Sequence, residues 1–288
     1  MLKGSIVALV TPMFDNGDIH WQQLAQLIDW HIESGTSAIV SVGTTGESAT
    51  LNIEEHKAVI HFTQRHTRDR IPVIAGAGGN STGEAIELSL AAYHSGCYAT
   101  LQVVPYYNKP PQRGLVKHFQ TIAEKVPMPH LLYNVPGRTA CDLNAQTVAE
   151  LAKIPNIIGI KEASTLERLR ELKALCPSDF LIFSGEDGIS AQAYAEGTIE
   201  GVISVTANVA PQLMSEVFSE RSQAISRNEA LVDLHKAMFC ECNPLPAKWA
   251  LHRLGKMDAG IRLPLVPLAP ESYPVVESAL KRAGLLTI

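Results

Sequence analysis

Eight short apolar runs, each followed by a stretch with helical spacing, constrain this chain more than anything else in its sequence. The runs lie at 5–10, 38–42, 72–75, 99–104, 130–133, from Ile157 onward, at 180–184 and at 202–205. Between the first two, Trp21, Leu24, Leu27, Ile28 and Ile32 recur at helical spacing, with Asp18 as the expected cap and Gly35 as the stop. Asn52 and Glu55 have the form of a capping box. Ser81 or Thr82 opens the next helix and Gly96 ends it; further helical stretches are expected over 112–125, 144–153, 166–175 and 188–196. Parallel strands need a crossover between them, usually a helix, so this alternation predicts an α/β chain built as a closed (β/α)8 TIM barrel. A doubly wound open sheet is the rival, weakened by the lack of a Gly-x-Gly-x-x-Gly after the first run. The later residues, punctuated by Asn243-Pro244-Leu245-Pro246 and Leu263-Pro264, are expected to form a C-terminal helical appendage. The expected division is a barrel over 1–224 and a helical region over 225–288.

Composition narrows the function classes. The 288 residues are 46% hydrophobic and 18% charged, which is ordinary for a globular protein with a large core. The net charge of −5 is spread along the chain without a basic cluster, so no nucleic-acid partner is expected. The apolar run before Thr11-Pro12 is too short to span a bilayer, so no membrane role is expected. Five cysteines, with no spacing of a metal site beyond a bare Cys240-x-Cys242, fit a reducing compartment, and the cytoplasm is the expected location.

If the barrel forms, chemistry should collect at the carboxyl ends of its strands. The run Ile-Ile-Gly-Ile-Lys-Glu-Ala-Ser, beginning at Ile157, puts Lys161 at such an end. Burial disfavours a charged lysine and so favours the amine that attacks carbonyls; the plainer reading is a lysine whose stem lies along the core with its head in water. After the second run comes Gly43-Thr44-Thr45-Gly46-Glu47-Ser48, where two hydroxyls and successive amides can converge on a carboxylate, or simply form a tight turn. The fifth run ends Tyr133-Asn134-Val135-Pro136-Gly137-Arg138-Thr139, placing a phenol beside the lysine strand and a guanidinium one loop away. Taken singly, Tyr133 reads as a core tyrosine and Arg138 as a surface charge.

Together, Gly43-Thr44-Thr45-Gly46-Glu47, Tyr133-Asn134-Val135-Pro136, Gly159-Ile160-Lys161-Glu162 and Gly201-Val202-Ile203-Ser204-Val205 resemble the pyruvate-dependent Schiff-base class I aldolase and lyase family, over essentially the whole chain. Gly137-Arg138-Thr139, Pro105-Tyr106-Tyr107-Asn108 and the segment from Asn243 to Trp249 are similar to the branch that condenses pyruvate with L-aspartate 4-semialdehyde. The resemblance implies that Lys161 forms an imine with pyruvate, that Tyr133 shuttles protons and that Thr45 relays to it. It implies that Thr44 and Thr45 hold the pyruvate carboxylate, with the backbone of Ile203 lining the same pocket, and that Arg138 binds the carboxylate of the semialdehyde. Tyr107 matches a tyrosine that family members insert into a neighbouring subunit's site, so a homotetramer built from dimers is implied. No metal or organic cofactor is implied. The alternatives within this resemblance are a lyase releasing pyruvate from N-acetylneuraminate or a 2-keto-3-deoxy sugar acid, and a family member that binds without catalysis.

Some family members are inhibited by L-lysine bound at a subunit interface. The matching positions are Ser48, Ala49, His56, Asn80, Glu84 and Tyr106, with Ile53 standing where some responsive relatives carry histidine. Read without the resemblance, His56 is a solvated residue on a polar helix face and Glu84 a first-turn stabiliser of its helix.

Overall fold

The computed structural model describes residues 2–287 and forms the expected barrel. Eight parallel strands close on themselves in sequence order: β1 (Gly4–Ala8), β2 (Ala38–Ser41), β3 (Val73–Gly76), β4 (Ala99–Val103), β5 (His130–Asn134), β6 (Ile157–Glu162), β7 (Leu181–Ser184) and β8 (Gly201–Ser204). Their crossovers carry α1 (Trp21–Glu33), α2 (Ile53–Thr67), α3 (Thr82–His94), α4 (Gln112–Lys125), the single-turn α5 (Pro136–Thr139), α6 (Ala145–Leu151), α7 (Leu166–Leu175) and α8 (Asp187–Ala195). After β8 come α9 (Pro211–Val217), which packs against β1, then α10 (Ala224–Asn228), α11 (Val232–Ala237), α12 (Leu245–Arg253) and α13 (Tyr273–Arg282). Among the described residues, no helix is long and apolar enough to cross a membrane.

Two apolar layers hold this architecture together. The inner one fills the barrel with Ile6, Val40, Ile74, Leu101, Leu131 and Phe183; the outer one lies between strands and helices. The capping box of α2 forms as the sequence predicts, with Asn52 Oδ1 accepting from Glu55 N at 2.9 Å and Glu55 Oε2 accepting from Asn52 N at 3.0 Å. The cap of α1 does not. His20 takes that place, its Nδ1 accepting from Gln23 N, while Asp18 closes the preceding loop onto Asn16. An imidazole nitrogen supplies the acceptor that the carboxylate was expected to supply.

One irregularity aims the central lysine. β5 and β6 pair His130 with Ile157 but Leu131 with Gly159, so Ile158 is an extra residue, a bulge. Side chains alternate along a strand, and one inserted residue shifts the phase. Ile157 therefore packs in the outer layer, while Lys161, paired with Tyr133, faces the inside.

Candidate active site

Lys161 sits at the carboxyl end of β6 with only 6% of its surface exposed, and its Nζ lies 4.4 Å from the centroid of the Tyr133 ring. Space for the lysine stem depends on Gly185, just past β7. A Cβ there would lie 2.8 Å from Lys161 Cε and 2.8 Å from Ala163 Cβ. Ile203 is fully buried in the same inner layer.

The second contribution is the turn after β2. Val42 and Glu47 both hold left-handed φ values, 57° and 61°, which non-glycine residues and above all a β-branched valine rarely adopt. Thr45 is buried between them, and its hydroxyl accepts from Asn243 Nδ2 at 3.0 Å. That is the hydrogen bond the Thr45 side chain makes in this structure; the Tyr133 hydroxyl is not its partner. Catalytic hydrogen bonds are often loose before substrate arrives.

Arg138 stands on α5, exposed on the cavity side, and its Nη2 donates to the backbone oxygen of Asn243 at 3.4 Å. Thr44 and Arg138 line one cavity of about 440 Å³ together with Thr139, Val135 and Asn243. The same cavity continues past Ser48, Ala49, Ile53, His56, Glu84 and Tyr106. Asn80 lies beside it, its Nδ2 donating to Tyr106 O at 3.2 Å. The phenol of Tyr106 is pushed up by burial and by the Glu84 carboxylate. His56 is not a solvated polar-face residue. It is buried, its Nε2 meets Gly76 O at 2.6 Å, and burial holds its pKa below the ordinary imidazole value. Tyr107 stands apart from these: 90% of its surface is exposed, on a left-handed backbone with φ 73°.

Residues without an assigned role in the sequence also converge here. Glu47 and Lys248 form a fully buried ion pair, and Glu47 also accepts from the Arg262 amide at 3.3 Å. Glu186, after β7, carries a carboxyl raised by burial and by Asp187, against the opposing pull of Lys161 and Arg138. The sequence held one usable signal for Glu186: it follows Gly185 at a strand's carboxyl end. Asn243 and Lys248 lie in the segment that carried part of the family resemblance, but their contacts across some two hundred positions gave no local sign of a role at this turn. Among the described residues, no group of three or more His, Cys, Asp or Glu side chains is placed to hold a metal.

The sequence profile of the dihydrodipicolinate synthetase family matches residues 1–283. The chain belongs to that family. It is 55% identical to a 4-hydroxy-tetrahydrodipicolinate synthase of Dichelobacter nodosus, covering 99% of this chain and 98% of the relative. Among solved dihydrodipicolinate synthetase structures, that of the chloride-inhibited enzyme of Acinetobacter baumannii complexed with pyruvate superposes with a TM-score of 0.97 at 49% identity, covering 99% of this chain and 100% of that one. The Cyanidioschyzon merolae protein, solved with lysine bound, superposes with a TM-score of 0.94 at 37% identity over 99% of both chains.

Proposed function

We propose that this protein condenses pyruvate with L-aspartate 4-semialdehyde to 4-hydroxy-tetrahydrodipicolinate, a step of lysine and diaminopimelate biosynthesis, through an imine on Lys161. The observation that carries this reading is the buried Lys161 side chain, with its Nζ over the Tyr133 ring, at the carboxyl end of β6 in a closed barrel. The neutral amine adds to C2 of pyruvate, and the resulting carbinolamine loses water to give an iminium. That electron sink lets the pyruvate methyl group lose a proton. The enamine carbon then attacks the aldehyde carbon of the semialdehyde, whose oxygen takes up a proton. The substrate's own amine adds to the iminium carbon, closes the ring and releases Lys161.

Tyr133 is the proton donor and acceptor for these steps, and Thr45 relays to it. Thr44 and Thr45 hold the pyruvate carboxylate beside the backbone of Ile203. Arg138 grips the semialdehyde carboxylate with a forked pair of charge-assisted bonds. Tyr107, exposed on its own chain, completes the relay in a second copy, in a homotetramer of dimers. The far end of the cavity, with Ser48, Ala49, His56, Asn80, Glu84 and Tyr106, takes L-lysine as an inhibitor. Residues 1–224 act as the catalytic barrel and 225–288 as a helical region packed on it, in a cytoplasmic enzyme.

The test is pyruvate consumption by the purified protein with L-aspartate 4-semialdehyde, beside pyruvate release from N-acetylneuraminate and keto-deoxy sugar acids. Consumption with the semialdehyde alone supports the proposal. Release from a sugar acid with no semialdehyde reaction moves the protein to the lyase branch.

A further inference from the structure

Asn243 touches both halves of the site. It is 5% exposed, its Nδ2 lies 3.0 Å from Thr45 Oγ1, and its backbone oxygen takes the Arg138 guanidinium at 3.4 Å. Its own Oδ1 is buried and has no partner among the described residues. Among the described residues, the hydrogen bond that this side chain makes is the donation to Thr45.

That donation has a direction. An amide nitrogen has only hydrogens to give, so Thr45 Oγ1 accepts there, and its single proton must point elsewhere. We propose that Asn243 is a positioning residue that sets the direction of the proton relay: by occupying a lone pair of Thr45, it leaves the hydroxyl proton free for the Tyr133 side. The inference rests on the imine reading of Lys161 and goes beyond it, since Asn243 need not touch a reacting atom. In the relay, a proton that Tyr133 gives to the hydroxyl leaving as water is replaced from Thr45. A Thr45 proton turned toward Asn243 could not replace it.

The discriminating variants are Asn243→Asp, which presents only acceptors and captures the Thr45 proton, and Asn243→Leu, which is uncharged and presents no donor. The readout is exchange of pyruvate methyl hydrogens for deuterium in D2O, followed by NMR on the full-length protein. It needs the Lys161 imine but not the semialdehyde, so any effect of the new aspartate on Arg138 stays out of the measurement. Asn243→Asp should slow exchange by about 100-fold, a share of what positioned acid–base groups contribute, and Asn243→Leu by about 10-fold. The KM for pyruvate should change by less than about threefold, since the relay acts in the transition state. Thermal unfolding shows which variants fold, and Asn243→Leu carries the test if Asn243→Asp does not.

A double-mutant cycle separates positioning from general structural damage. Thr45→Val removes the hydroxyl that Asn243 orients, so adding either Asn243 change to it should cost no more than about twofold further. Losses that multiply, or a rise in pyruvate KM that accounts for the whole effect, would overturn the proposal. Wild-type protein that neither exchanges pyruvate hydrogens nor traps pyruvate under borohydride would overturn the imine reading and this inference with it. Active wild-type protein with a multiplicative cycle would overturn the inference alone.

Discussion

Replacing Lys248 by methionine should strand a carboxylate beneath the catalytic turn. Lys248 and Glu47 have side-chain exposures of 3% and 0%. Burial pulls the Lys248 pKa down, and the Glu47 charge opposes that pull. Removing one partner of such a pair typically costs about 3–5 kcal/mol, because the remaining buried carboxylate keeps only the Arg262 amide and that residue's more distant charge as compensation. At roughly 2 °C per kcal/mol for a chain of this size, Lys248→Met should unfold about 6–10 °C below the wild type. Replacing both, as Glu47→Met with Lys248→Met, removes the stranded charge and should recover about half of the loss; the Arg262 amide then lacks its acceptor. The assay is thermal unfolding by circular dichroism at pH 7.5, with protein concentration matched across variants. Lys248→Met within about 1 kcal/mol of the wild type would refute the reasoning, and so would a double variant as unstable as the single one.

Four further outcomes are expected. Lys161→Ala should abolish the borohydride-trapped pyruvate adduct seen by mass spectrometry; an undiminished adduct would remove Lys161 from the mechanism. Arg138→Ala should keep that adduct while lowering kcat/KM for the semialdehyde by about 100-fold, the share of two charge-assisted bonds, and equal loss of both would mark Arg138 as structural. Gly185→Ala should fold yet trap pyruvate at least about tenfold more slowly, because its Cβ occupies the space of Lys161 Cε; a normal trapping rate would show that the lysine stem can shift. Glu162 is raised from 4.5 to about 7, chiefly by burial, so between those values the folded chain holds a proton that the unfolded chain has released, and stability falls as pH rises through that window. Glu162→Gln removes this term. It should raise the urea midpoint at pH 8 and flatten its fall between pH 5 and 8, by up to about 3 kcal/mol, whereas an unchanged pH dependence would refute it.

The barrel was legible because each strand carries its own evidence: a short apolar run, a breaker and a helix with a marked start. The placement of Lys161, Tyr133, Thr45 and Arg138 on or just after strands was legible for a related reason, since each lies at the end of a recognisable run; their roles came only from the family resemblance. The bulge at Ile158 was not legible. An apolar run looks the same whether its phase shifts or not, and only pairing with β5 reveals the extra residue. Asp18 misled for the opposite reason: it has the right chemistry for a cap, but the helix begins two residues later, where His20 supplies the acceptor. The helical region after β8 gave its own helices away but not its purpose, because its contacts with the site connect residues about two hundred positions apart.

Those long-range contacts explain how the turn after β2 keeps its shape. Val42 and Glu47 both sit in backbone conformations that cost on the order of 1–3 kcal/mol each and persist only where the surroundings over-determine them. The surroundings here are the turn's own bonds from Glu47 N to Thr44 O and from Ser48 N to Gly43 O, the Thr11 hydroxyl donating to Gly46 O, and the C-terminal segment. Lys248 neutralises Glu47 in the interior, and Arg262 donates its backbone amide to Glu47 and its guanidinium to Gly17 O, Thr50 O and both Glu55 oxygens. Asn243 then reaches Thr45, the buried hydroxyl between the two strained residues. β2 itself needs none of these contacts, since it is paired with β1 and β3. The helical region therefore acts on the turn at the strand's end, holding Thr44 and Thr45 at the mouth of the barrel that Lys161 reaches from β6.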